Sequence, residues 1–145
     1  MQQPFHMRGG PSLKDAVVLL RIASLPTEEL RCDALEHFFL AELNGRRCGL
    51  VGLELFGNEA LLRSLTVSEG ERGRGLGVAM VRHAETHAIN LGVRSLSLLT
   101  TTAEAFFARL GYLRLDRAAA PPSIQGTREF STLCPSNSAF MAKFF

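Results

Sequence analysis

The 145-residue chain predicts an α+β fold, a mixed but mostly antiparallel twisted sheet with about four helices on its faces. Three observations carry that reading. Two apolar runs, Leu35 to Leu43 and Arg47 to Phe56, flank Asn44-Gly45, the residue pair that best accepts the positive φ angles of a tight hairpin. After the turn at Gly57-Asn58, Glu59 to Val67 extends the same antiparallel meander. From there strand-like and helix-like segments alternate, and Arg72-Gly73-Arg74-Gly75-Leu76-Gly77 sits between a strand and a helix.

The elements follow in order. Phe5 to Arg8 forms a short first strand. Pro11-Ser12 starts a helix over Leu13 to Ala23, where Ala16, Val17, Leu20 and Ala23 recur at helical spacing, and Leu25-Pro26 stops it. Thr27-Glu28-Glu29-Leu30 opens a second short helix with acidic residues in its first turn, where they complement the helix dipole. The main helix runs from Leu76 to Leu91 with Gly92 as its cap. Arg94 to Thr100 is the next strand. Thr101 with Glu104 forms a capping box that starts a helix through Leu110, ended by Gly111. Tyr112 to Asp116 returns as a strand, Ala118 to Pro122 is an Ala/Pro loop, and Ser138 to Phe145 closes the sheet.

Composition narrows the function. One domain over residues 1–145 is expected, and a chain of this length buries roughly 70% of its unfolded surface, so the core can be substantial. Sixteen Lys and Arg against 14 Asp and Glu give a net charge of +2, with no block of like charges. Neither nucleic acid nor a membrane surface is an implied partner. The three cysteines, Cys32, Cys48 and Cys134, are far apart and show no CxxC spacing, which fits reduced thiols and a cytoplasmic location. No signal peptide and no membrane span are expected.

The glycine loop carries the chemistry. Between a strand and an amphipathic helix, its glycines turn the backbone tightly and leave successive N–H groups at a helix N-terminus, where the dipole favours an anion. The spacing is neither that of a Walker loop nor that of the dinucleotide fingerprint. It is Arg/Gln-x-x-Gly-x-Gly/Ala, met by Arg72, Gly75 and Gly77. That pattern resembles the acetyl-CoA pyrophosphate loop of the GNAT superfamily of N-acetyltransferases. The resemblance extends over Leu61 to Leu91 and the segment Phe107-Ala108-Arg109-Leu110-Gly111-Tyr112. The runs Leu98 to Phe107 and Phe130 to Pro135 are similar to a narrower group, the small arsenic-resistance N-acetyltransferases.

Several roles are implied by the resemblance. Acetyl-CoA is the co-substrate, with no metal, and its pyrophosphate lies on Arg72, Gly73, Arg74, Gly75, Leu76 and Gly77. The strands Glu59 to Val67 and Arg94 to Thr100 splay at a bulge, leaving the main chain of Leu65 and Val67 for the pantetheine. The acceptor is a small-molecule amine, with a glutamate-like organoarsenical or phosphinic amino acid as the narrower expectation. A homodimer is the candidate assembly. The superfamily's usual proton donor is a tyrosine four residues before the glycine of a Gly-Phe/Tyr pair, but Phe107 stands there. The thiolate then leaves unaided or takes its proton from water or a threonine hydroxyl.

Direct transfer needs a neutral amine, a polarised carbonyl oxygen and a proton for the departing thiolate. Glu54, among Val51, Leu53 and Leu55, is either an inward base or the outward member of an alternation. Arg63 either clamps a substrate carboxylate bidentately or points to solvent. Ser64 is a second catalytic candidate, and Thr101, Thr102, Phe107 and Cys134 are candidates for binding the acceptor. Thr101 has an alternative role as a helix cap, and Cys134 as a turn-side thiol. Glu59 reads as a solvated charge at a turn, Tyr112 as core packing, and His83 with His87 as part of a half-exposed helical face. Phe38, Phe39, Phe56, Phe106, Phe107 and Phe130 can wall an acceptor pocket. Two function classes remain open, a catalytic acetyltransferase and a noncatalytic acyl-CoA-binding module. An enzyme of the same fold acting on an antibiotic or a protein N-terminus is the intermediate case.

Overall fold

A computed structural model describes residues 6–9, 36–68, 70, 75–127, 130 and 138–145. The helices expected over Leu13 to Ala23 and from Thr27, the loop residues Arg72, Gly73 and Arg74, and Cys32 and Cys134 lie outside the described residues. In chain order the described residues form β1 (His6–Gly9), β2 (Phe38–Leu43), β3 (Arg46–Phe56), β4 (Glu59–Val67), α1 (Leu76–Asn90), β5 (Ser95–Thr100), α2 (Glu104–Arg109), β6 (Leu113–Leu115), α3 (Pro122–Gln125) and β7 (Ala139–Phe144). The seven strands form one sheet in the order β1-β2-β3-β4-β5-β7-β6. All neighbours are antiparallel except β4 and β5. The predicted mixed, mostly antiparallel α+β sheet is therefore the observed one.

Turn chemistry sets the registers. Asn44 and Gly45 both take positive φ, as their pairing predicts, and close the β2–β3 hairpin. A second two-residue turn at Gly57-Asn58 puts Phe56 opposite Glu59, which fixes every later pairing up to Arg63. The last carbonyls of α2 are satisfied by a Schellman pair: Gly111 at φ 99° donates to the Ala108 carbonyl and Tyr112 to that of Phe107. Its rings complete the closure, because Tyr112 stacks edge-on against Phe107 at 5.6 Å.

The sheet separates two apolar layers. On one face, α1 lays down Leu76, Met80, Val81, Ala84 and Ala88, a helical stripe packed over Phe39, Val51, Leu53, Ala60, Leu62, Leu96 and Leu98. Each fully buried large aliphatic side chain there is worth about 1.5–3 kcal/mol. On the other face, Leu61 and Phe140 pack with Ala120 and Ile124 of the α3 region, alongside Phe56, Leu99 and Phe130. Of the six phenylalanines able to wall an acceptor pocket, Phe39, Phe106 and Phe107 belong to the α1 layer and Phe56 and Phe130 to the other.

Three local expectations change. The helix at Glu104 is capped by Ala103, with no side-chain cap, and Thr101 is exposed; the bond forms one residue earlier, where the Thr100 hydroxyl accepts from the Ala103 N–H at 3.0 Å. Inside the expected Ala/Pro loop, Pro122 starts α3 because a proline at the first helical position sacrifices no hydrogen bond. Glu59 is half-buried rather than solvated, and accepts from the Ser123 hydroxyl at 2.8 Å, tying α3 to the start of β4.

Candidate active site

Parallel pairing between β4 and β5 stops early. Only Glu59–Leu61 pair with Ser95–Ser97, although β4 continues to Val67 and β5 to Thr100. Beyond Leu61 the two strands part, and a backbone edge opens in the middle of the sheet. Extended chains are held by such edges through main-chain hydrogen bonds.

A bulge in β4 lies beside that opening. Leu50 pairs with Thr66 but Gly52 pairs with Arg63, so β4 spends one more residue than β3 over this stretch. The extra residue turns at Ser64, whose φ of 63° lies in the left-handed region. For a residue with a Cβ that conformation costs roughly 1–2 kcal/mol. It also resets the alternation: Ala60 and Leu62 face α1 before the bulge, and Leu65 and Val67 pack against the same layer after it.

α1 starts level with this edge. Its N-cap, Gly75, has φ 79°, a conformation open to glycine and strained for other L residues. The first helical bond runs from the Ala79 N–H to the Gly75 carbonyl at 3.1 Å, so the N–H groups of Leu76, Gly77 and Val78 have no intrahelical acceptor. A Cβ on Gly77 would sit 3.4 Å from Phe106 and 3.8 Å from the Val67 side chain, which places the helix start against the end of β4. A bare helix N-terminus beside an open strand edge is the donor arrangement that a phosphate-bearing thioester requires.

On the face away from α1, Glu54 and Arg63 form an ion pair at 2.8 Å. They are diagonal neighbours, because Glu54 opposes Leu61 and Arg63 opposes Gly52. The guanidinium is buried, with 4% of its side chain exposed against 28% for Glu54. Its Nε donates to the Ser64 hydroxyl at 3.2 Å, and the Phe38 ring centroid lies 6.0 Å from its central carbon. Phe38 occupies space that only a glycine opposite could leave, since a Cβ on Gly52 would meet the ring at 2.4 Å. Glu54, Arg63 and Ser64 are therefore brought together at the bulge.

The other candidates fall elsewhere. Thr101 and Thr102 are exposed in the turn after β5. Phe107 is buried, packed edge-on against Phe106 and Tyr112. Tyr112 is spent in the core: its hydroxyl donates to Glu85 at 2.9 Å, and burial followed by the Glu85 charge pushes the phenol well above its ordinary range. His83 and His87 are half-buried, each edge-on to Phe39 at 4.7 and 4.8 Å, and His87 meets His37 at 3.2 Å. Among the described residues no three or more His, Cys, Asp or Glu side chains gather to hold a metal. None of the described helices is long and apolar enough to cross a membrane. Sequence reasoning missed Phe38 and Gly52 as the support of Arg63, although a glycine in a strand otherwise rich in large residues was a signal of close approach.

A central sheet opened beside a bulge, with a glycine-capped helix starting at the opening, defines the acyltransferase architecture. The chain belongs to the acetyltransferase (GNAT) family, whose profile matches residues 14–112. An uncharacterized N-acetyltransferase of Chlorobaculum tepidum is 31% identical over 96 residues, 63% of this chain and 61% of that protein, so the match spans under two thirds of its relative. Among solved structures, N-acetylglutamate synthase from Neisseria gonorrhoeae, complexed with coenzyme A and N-acetyl-glutamate, superposes with a TM-score of 0.84 at 18% identity, over 99% of this chain and 36% of the other. Rv2747 from Mycobacterium tuberculosis, in complex with CoA and NLQ, superposes at 0.77 with 20% identity over 97% and 99%. At such identities the likeness establishes the fold.

Proposed function

We propose that this chain is an acetyl-CoA-dependent N-acetyltransferase acting on the amino group of a small, carboxylate-bearing amine in the cytoplasm. The observation that carries the reading is the β4–β5 opening with the start of α1 beside it. The N–H groups of Leu76, Gly77 and Val78, with the neighbouring Arg72 to Arg74 segment, receive the pyrophosphate; the β4 backbone at Leu65 and Val67 receives the pantetheine. The amine attacks the acetyl carbonyl, whose oxygen becomes negative, and the carbon–sulfur bond then breaks, releasing CoA thiolate that takes its proton from water. Glu54, the more exposed member of its ion pair, takes the ammonium of the acceptor and removes its proton. Arg63, buried behind Glu54, supplies positive potential toward the acceptor's acidic end rather than a direct contact, so the pair's polarity opposes that of an amino-acid zwitterion. A glutamate-like organoarsenical or phosphinic amino acid, acetylated as a resistance reaction, is the narrower form of this proposal.

A noncatalytic acyl-CoA-binding module is the second reading, favoured by Phe107 at the proton-donor position and by Tyr112 being held in the core. Turnover separates the two. Release of CoA thiol from acetyl-CoA is expected to accelerate when amino-acid-like amines are added, and background rates across the whole panel would leave only the binding module. A carboxylate-bearing amine is expected to exceed its amide counterpart in kcat/KM by about tenfold, a gap that narrows in Arg63→Ala. Equal losses for both acceptors would remove Arg63 from substrate recognition.

A further inference from the structure

Ser64 is the only described residue other than Asn44 and the glycines to take a positive φ, and it takes it at the bulge beside the open edge. Asn44 lies in a hairpin turn, where that conformation is ordinary. A serine there, inside a strand, is held against its own preference, and strain of this kind concentrates where a backbone must be aimed. The holder is visible. Arg63 Nε donates to the Ser64 hydroxyl at 3.2 Å, while Nη1 of the same guanidinium is fixed at 2.8 Å by Glu54 on β3. The Phe38 ring packed on Gly52 backs this fork from β2. A rigid planar group can serve both partners at once, which a flexible ammonium cannot.

We propose that Ser64 and Arg63 are positioning residues for acetyl transfer: the guanidinium-held hydroxyl locks the left-handed turn at Ser64. That turn sets the phase with which the backbone of residues 65–67 meets the acetyl end of the co-substrate. Glu54 thereby acts twice, on the acceptor through its exposed edge and on the bulge through Arg63. The assignment rests on the acetyltransferase reading but is separable from it, since a backbone can be placed correctly in a protein whose acceptor is wrongly guessed.

The test uses the full chain and three substitutions. Ser64→Gly removes the hydroxyl but accepts positive φ freely; Ser64→Ala removes the hydroxyl and keeps the penalty; Arg63→Lys breaks the fork while keeping a charge. Thermal melts by circular dichroism establish that each variant is folded. With any amine that the wild type acetylates, Ser64→Ala and Arg63→Lys are expected to lose about tenfold or more in kcat at a nearly constant KM for acetyl-CoA, and Ser64→Gly, which has no penalty for positive φ but also no lock, to lose clearly less than Ser64→Ala. Equal losses in Ser64→Gly and Ser64→Ala would make the hydroxyl a reacting group and overturn the proposal, as would full activity in Ser64→Ala. An amide-resolved NMR titration gives a readout without turnover. In wild type and Ser64→Gly, residues 65–67 are expected to shift differently with acetyl-CoA than with CoA, and in Ser64→Ala to lose that difference. If the wild type binds both but shows no difference there, positioning is overturned; if the difference is present while no amine is acetylated, only the acetyltransferase reading falls.

Discussion

Two of the carboxylate–cation sets among the described residues, those of Glu85 and Glu54, differ in one respect. Glu85 of α1, with 7% of its side chain exposed, accepts from Arg82 at 2.9 Å, from the Tyr112 hydroxyl at 2.9 Å and from Lys143 at 3.2 Å. Lys143 also donates to the Leu110 carbonyl at 2.9 Å, so the set ties α1 to β7 and to the end of α2. Glu54 has the same chemistry and the same short bond to a cation, yet four times the exposure. Saturated on all sides, Glu85 fastens elements together. Glu54 fastens Arg63 and keeps an edge that a solute can reach. Reach, not charge, separates the structural carboxylate from the one suited to chemistry.

The sharpest way to break this comparison is to remove charge without volume at the reachable member. Glu54→Gln is expected to lower amine-dependent thiol release by about 100-fold, the lower end of what a positioned general base contributes. The substitution also removes the counter-charge that Glu54 gives the buried Arg63 guanidinium, so the melting temperature is expected to fall, and rates are compared well below the melt. A variant retaining the wild-type rate would reduce Glu54 to a holder of Arg63 and erase the functional difference between the two sets.

The open set is useful only if the acetyl donor is held beside it. Gly75→Val is expected to raise the acetyl-CoA dissociation constant about tenfold, near 1.4 kcal/mol. The cause is conformational rather than steric: φ at Gly75 is 79°, and a Cβ there meets nothing within 4 Å. Gly75→Asn, which tolerates the left-handed region better, is expected to lose less. Similar losses in Val and Asn would point instead to steric exclusion of the ligand itself.

The closed set answers to the complementary test. Tyr112→Phe deletes one of three donors to Glu85 and leaves the ring packing intact, so about 1 kcal/mol of stability is expected to be lost in urea unfolding, with no change in turnover. A loss of turnover with unchanged stability would return Tyr112 to the reaction as the missing proton donor.

Much of this was readable in the sequence, for local reasons. Asn44-Gly45 and Gly57-Asn58 are two-residue turns, and such turns dictate register; the second alone places Glu54 and Arg63 diagonally across β3 and β4. The α1 stripe is periodic, and Gly92 and Gly111 stand where helices end. The bulge was not readable from the residues, because Ser64 carries no preference for positive φ; its conformation is imposed from outside by Arg63 and the strands around it. The same holds for Thr101, where the capping-box spacing was present but the chain bent one residue earlier at Thr100. For Phe107, the sequence identified the position and the fold supplied the packing that fills it.

The smallest expected effect concerns a third titratable group, the histidines on α1. Burial lowers the affinity of His83 and His87 for protons below the ordinary value of 6.5, and at His87 the neighbouring His37 and His83 lower it further. Both imidazoles are edge-on to Phe39, and the His37–His87 contact at 3.2 Å needs at least one neutral ring. The sign follows from linkage. Around pH 6.5 the unfolded chain binds more protons than the folded one, so stability is fully present above that value and is lost as pH falls through the lower folded values. A decline of a few degrees in melting temperature is expected between about pH 7.5 and 5.5, and His87→Gln is expected to flatten the slope by keeping a neutral polar group against Phe39. An unchanged slope in His87→Gln would shift the pH dependence to other groups and leave the α1 histidines as neutral packing alone.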